Sequence, residues 1–437
     1  MAENVTRVPK RILVSLMESL SAGVVPRSGA PYVAIGRADE VSALLDKIKD
    51  AGEGGAFTRF IIGKYGSGKS FLIQLVRGYA VEKGFVCCDC DLTPERRLSG
   101  SGGNGLATYR ELIRNMSTKT SGDGGALSNV LLRWISRLQA ETASDGTAPD
   151  SPDFEKRVSE RIFKTTGEIE TSFGGFDFAY VLNAFYRAHV SGDDLKKTCA
   201  LKWLSGLYET KSEAKRDLGV GSVINDDTWY DYIKLMARFV RGIGYEGLIV
   251  FVDECVNLYK IVNRQARESN YEKLLSMFND TLQGGASYLG LVFGGTPAFL
   301  EDSRRGLYSY EALRSRLTDA RFASGGYRNL RGPVIRLERL TDDELYALVK
   351  RVYELYKMNY SVDPGITDED LALFLEDTLS GPDAGSMITP REVIRDLLSL
   401  LDVLGQNEGA AFGDLVKAKK KEKEENAAGK GVEFLDF

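Results

Sequence analysis

Gly63-Lys64-Tyr65-Gly66-Ser67-Gly68-Lys69-Ser70 satisfies the pattern G-x-x-x-x-G-K-[S/T] at every fixed position. The pattern has mechanical meaning only between a strand and a helix, and both flanks qualify. Residues 57–62 form a short, mostly apolar run with no helical period, bounded by glycine-rich segments, which reads as a buried parallel strand. On the other side Phe71, Leu72, Leu75, Val76, Tyr79 and Ala80 recur at helical spacing over 71–83, and 85–91 reads as a second strand. In such a unit glycines let the backbone wrap closely around phosphates, and the helix N-terminus offers unpaired N–H groups. Lys69 is therefore expected to neutralise the β- and γ-phosphates of ATP, and the Ser70 hydroxyl to ligate Mg²⁺.

Leu248-Ile249-Val250-Phe251-Val252-Asp253-Glu254 is a hydrophobic strand that ends in two carboxylates. Alone, such an end is more often an exposed turn; downstream of the phosphate loop it has a use. Asp253 is expected to hold the Mg²⁺ shell, and Glu254 to polarise the attacking water as general base. Residues 289–295, followed by Thr296-Pro297, read as a further strand. A small polar residue at that place orients the lytic water, so Thr296 is a candidate; the bland alternative is a Gly-Thr-Pro turn with no catalytic part.

Leu313-Arg314-Ser315-Arg316-Leu317 and Thr389-Pro390-Arg391-Glu392 each supply an arginine whose planar fork suits phosphate oxygens. Either alone reads equally as a solvated surface arginine. Residues 304–339 hold nine arginines interleaved with Tyr308, Tyr310, Phe322 and Tyr327, a composition that suits a DNA backbone or a subunit interface.

Length and composition allow several domains with a large core, and the net charge of −5 excludes a generally basic, polyanion-coating protein. Cys87, Cys88 and Cys90 are crowded in one strand, where neighbours point to opposite faces, so neither a disulfide framework nor a metal site is expected. His189 has no recognisable partner and is read as structural. No apolar run is long enough for a signal peptide or a membrane span, so a cytoplasmic protein without membrane contact is expected. The patterning divides the chain into a helical lead-in (1–30), a first core part (31–105), a helical insertion (106–242), a second core part (243–338), a helical lid (339–405) and a charged tail (406–437) ending Phe434-Leu435-Asp436-Phe437.

In order along the chain, Ile35-Gly36-Arg37, the two nucleotide motifs (Walker A and Walker B), Thr296, Ser315-Arg316-Leu317 and Pro390-Arg391 resemble the AAA+ superfamily. More narrowly, the loop 63–71, Asp91-Leu92-Thr93-Pro94-Glu95-Arg96-Arg97-Leu98 and Asp253-Glu254-Cys255-Val256-Asn257-Leu258-Tyr259-Lys260 resemble the ATP-binding proteins of BREX-type phage-defence systems. The resemblance implies a Rossmann-like αβα P-loop core with a helical lid, ring-type homo-oligomers and a helicase-like partner. It implies nucleotide contacts at Ile35, Arg37 and Phe71 besides Gly63, Tyr65, Gly66, Ser67, Gly68, Lys69 and Ser70. Arg316 would act in trans on a neighbour's nucleotide, and Arg391 in cis from the lid. The insertion has no counterpart in minimal AAA+ cores, so its role is not inherited. The function expected is ATP hydrolysis by an oligomeric motor or switch on DNA; the alternative is a nucleotide-gated scaffold with slow turnover.

Overall fold

The computed structural model describes residues 8–170, 175–318, 328–380, 388–407 and 409–416. Helices α1 (Lys10–Ser21) and α2 (Ala38–Gly52) lead to β1 (Ala56–Gly63), α3 (Lys69–Glu82) and β2 (Val86–Asp91). Between β2 and β3 the described residues carry seven helices joined by loops: α4 (Asn104–Arg114), α5 (Leu127–Ser144), α6 (Pro152–Glu170), α7 (Gly175–Ser191), α8 (Asp194–Leu204), α9 (Lys211–Leu218) and α10 (Trp229–Gly242). Then come β3 (Leu248–Asp253), α11 (Val256–Tyr259), α12 (Arg264–Leu282), β4 (Leu289–Gly295), α13 (Pro297–Glu301), α14 (Glu311–Leu317) and β5 (Val334–Leu337). The chain continues through α15 (Asp342–Tyr360), α16 (Asp368–Leu379) and α17 (Pro390–Gln406). No described helix is long and apolar enough to cross a membrane.

The strands form one sheet in the order β2-β3-β4-β1-β5. β2 with β3, β3 with β4, and β4 with β1 run parallel, with Asp91 opposite Asp253 and Ala56 opposite Leu289. Parallel neighbours need a crossover, and every connection between them carries helices, which makes this the α/β class expected. The stretch 304–339, read from sequence as one arginine-rich segment, holds both a helix and an edge strand; Phe60 N–H donates to Pro333 O at 2.8 Å beside that strand.

By its internal contacts the chain forms two compact units: Met1–Ala38 with Gly63–Leu75 and Leu337–Phe437, and Asp39–Ile62 with Val76–Arg336. In the second, Phe60, Val86, Cys88, Val250, Val252 and Phe293 of the sheet share one apolar core with Tyr109, Trp134, Phe178 and Phe239 of the insertion helices. Trp134 and Phe178 meet Phe239 edge-on at 5.0 and 5.8 Å, and Trp203 meets Tyr232 at 5.4 Å. The insertion is thus continuous with the core, and each large apolar side chain it buries contributes about 1.5–3 kcal/mol.

In the first unit Leu13, Leu16, Met17 and Leu20 of α1 pack with Val352 and Tyr356 of α15, Phe374 of α16 and Leu397 of α17. The helix placed by sequence as a lead-in therefore shares the core of the three C-terminal helices. Those three each start with a capping box, at Thr341/Glu344, Thr367/Asp370 and Thr389/Glu392, which satisfies otherwise orphaned N–H groups.

Candidate nucleotide site

β1 runs directly into the glycine loop, and α3 begins at Lys69. Gly66 and Gly68 have φ of 77° and 85°, left-handed values that strain any side chain. A Cβ at Gly68 would meet no atom within 4 Å, so the loop opens onto space there. The Ser67 hydroxyl is buried without a hydrogen-bond partner, and the first N–H groups of α3 have no partner within the helix. Lys69 Nζ curls over its own loop, donating to Gly63 O at 3.0 Å and Lys64 O at 3.1 Å. A concave run of donors with a flexible cation beside it fits a polyphosphate.

Two further parts of the first unit hold this loop. Arg37, only 7% exposed, donates from Nη2 to Ser67 O at 2.9 Å and to Glu338 O at 2.7 Å. The buried Thr389 abuts Gly66 so closely that a Cβ there would stand 2.4 Å from its methyl carbon. Next to Thr389, Pro390 occupies the first turn of α17 and Arg391 is exposed. Ile35 and Phe71, with Tyr32, lie half-buried against the helical core. Tyr65 stands 76% exposed at the loop tip.

In the second unit the carboxylates are carried by neighbouring strand ends. Asp253 is 7% exposed, and its Oδ1 accepts the Glu254 N–H at 2.8 Å. Glu254 has φ 55°, and the turn is pinned on both sides: Cys255 N–H donates to Gly294 O at 2.9 Å, and Asn257 Nδ2 to Leu92 O at 2.7 Å. Asp91 lies in register with Asp253; partial desolvation at the strand end first, then the charges of Asp253 and Glu254, push its carboxyl above the usual carboxylate range. Sequence reading quoted Asp91 but gave it no role. The signal was there, since equal register on adjacent parallel strands puts the two carboxylates level. Among the described residues no three His, Cys, Asp or Glu side chains form a metal site by themselves.

Thr296 caps α13, its hydroxyl oxygen accepting Phe299 N–H at 3.3 Å. Capping uses only the acceptor side, so the same hydroxyl retains the capacity to donate and both sequence readings fit this placement. Arg316 is exposed in the last turn of α14 and donates to Ala312 O at 2.7 Å, while Leu313 and Leu317 anchor the helix.

One family model, described as BREX system ATP-binding protein BrxC/D, matches residues 8–420. The chain belongs to this family. The family is described as one of ATP-binding proteins. No curated protein matches the chain.

The arginines of 304–339 in this BrxC/D protein divide by placement. Arg305 donates to Tyr259 O and Ile261 O, Arg328 pairs with Glu40 and Arg336 with Glu301, whereas Arg304, Arg314, Arg316 and Arg331 are exposed. Tyr308 and Tyr310 pack against the core; Arg321, Phe322, Tyr327 and the tail from 417 lie outside the described residues. Burial pushes the Cys87 and Cys90 thiols up to about 12 and those of Cys88 and Cys255 higher than usual as well. Cys88 and Cys90 join the core cluster, whereas Cys87 contacts Arg77 O of α3, which are opposite sides of the strand.

Proposed function

We propose that this BrxC/D chain hydrolyses ATP with Mg²⁺ as a subunit of a ring-type homo-oligomer that acts on DNA beside a helicase-like partner. Glu254 carries most of the support. A glutamate held at φ 55° directly after a buried aspartate is strained, and a module that only bound nucleotide would need no such carboxylate. Bound ATP supplies a phosphoryl group whose transfer to water is accelerated mainly by positioning and charge stabilisation.

In this reading Lys69 exchanges its two loop carbonyls for phosphate oxygens. Ser70 and Asp253 would hold Mg²⁺, which would neutralise charge on the phosphates. Glu254 accepts the water proton, Thr296 orients that water, Arg391 answers the nucleotide from the lid and Arg316 reaches a neighbouring subunit's site. The exposed Arg304, Arg314 and Arg331 are the groups for DNA phosphates. The second reading, a nucleotide-gated scaffold, draws on the internal pairing of Arg305, Arg328 and Arg336, which removes them from any basic track.

The deciding experiment compares Lys69→Ala with Glu254→Gln. Lys69→Ala should lose tight ATP binding with the fold intact, and Glu254→Gln should bind ATP normally, lose turnover and accumulate an ATP-bound oligomer. Parental hydrolysis by Glu254→Gln would remove the general base from this account. Turnover in the parent that DNA leaves unchanged would favour the scaffold.

A further inference from the structure

The ends of β3 and β4 each continue through a one-turn helix, and the two paths are tied together just beyond. From Glu254 the chain enters α11 and ends at Tyr259; from Thr296 it enters α13 and ends at Asp302. Tyr259 Oη donates to Asp302 Oδ2 at 3.0 Å, while Asp302 Oδ1 accepts the N–H groups of Arg304 and Arg305 at 2.7 and 3.1 Å. Arg305 turns back: its Nη2 donates to Tyr259 O and Ile261 O, both at 3.2 Å, and its guanidinium lies 5.3 Å from the Tyr259 ring centre. From α12, Tyr271 Oη donates to Arg305 O at 2.6 Å, and Arg267 donates to Ile261 O at 2.8 Å.

The turn that follows has no slack. Gly306 N–H donates to Asp302 O at 2.8 Å, and a Cβ at Gly306 would stand 2.7 Å from Ala298 O. Five residues later α14 begins, and Tyr308 Oη donates to Leu317 O at 3.1 Å across its far end. The exposed Arg314 and Arg316 thus stand on a helix that Leu313 and Leu317 anchor and that follows directly on the closed loop of Tyr259, Asp302 and Arg305.

We propose that Tyr259, Asp302 and Arg305 are positioning residues that fix the arginine-bearing helix α14 to the Glu254 end of β3. The state of the hydrolytic end in one subunit then sets how that subunit presents Arg316 to its neighbour. This rests on the trans use of Arg316 proposed above. A brace serving stability alone would have no direction between subunits; this arrangement has one, because a subunit with a broken brace is a poor donor of arginine yet a sound acceptor.

Tyr259→Phe keeps the ring under the guanidinium and removes only the bond to Asp302, so the fold should survive, as a melting curve would show. Alone it should lower kcat on the order of tenfold with KM and ATP affinity unchanged, within the range that small misplacements cost. Asp302→Asn should repeat the pattern. The directional test mixes subunits. Lys69→Ala, dead in hydrolysis but with an intact arginine, should restore activity to Arg316→Ala, and this arm judges the trans reading by itself. Lys69→Ala carrying Tyr259→Phe should restore about tenfold less, whereas Lys69→Ala should rescue Tyr259→Phe fully. Equal restoration by both donors overturns the positioning role while leaving the trans arginine in place; no restoration in the first arm, despite co-assembly, overturns both. Loss of ATP affinity in Tyr259→Phe would put the defect at the nucleotide and also overturn it.

Discussion

Glu254 combines two demands that pull in opposite directions. Its left-handed backbone costs a non-glycine residue on the order of 1 kcal/mol, while its carboxylate has a use only if water and phosphate are brought to it. Glu254→Gly should therefore raise stability by about 0.5–1 kcal/mol in chemical denaturation, even though under the proposed function it should abolish turnover. A destabilised glycine variant would mean that the turn is not strained. Asp91 gives a pH-dependent counterpart. Its carboxyl titrates above the ordinary range, so the fold favours the neutral form; the stability it allows is complete below the unfolded pKa and is lost as pH rises through the raised value. Asp91→Asn is expected to melt above the parent at pH 7, and the difference should close below about pH 4. A gap that persists into acid would assign the effect to something other than charge.

The capping boxes let one element be compared with another. Thr367→Ala and Thr389→Ala each remove a cap that also anchors its partner carboxylate, and each should cost about 1 kcal/mol of stability. Only Thr389→Ala should also weaken ATP binding, because Thr389 alone of the two abuts Gly66; equal ATP affinity in both variants would make that contact mere packing. The strand-loop-helix unit and the three C-terminal helices were legible in sequence, since long periods and an uninterrupted motif leave little choice. β5 was not: it is four residues long, one of them Arg336, within a run dominated by arginine, and so short a strand has no period to read. Arg37 shows the same limit at the site. Its motif was visible, but its hold on Ser67 O and Glu338 O joins segments about three hundred residues apart, which no local pattern encodes.

At the scale of the chain, spacing led to a mostly helical reading of residues 106–242, but it could not show that their aromatics share one core with the sheet. Arg328 likewise pairs with Glu40 and Arg336 with Glu301, two ion pairs between segments that spacing along the chain leaves apart. The strand order has a consequence for how the molecule is made. β1 lies between β4 and β5, so the first strand to leave the ribosome has no partner until roughly two hundred further residues have followed. At about 5–20 residues per second the unpaired edge stays open for tens of seconds, long enough for aggregation to compete with closure. A fragment ending at residue 285, before β4, should be insoluble without a chaperone, whereas one ending at residue 340 should stay in solution. A soluble, cooperatively melting shorter fragment would show that β2, β3 and the insertion fold without waiting for the strand between them.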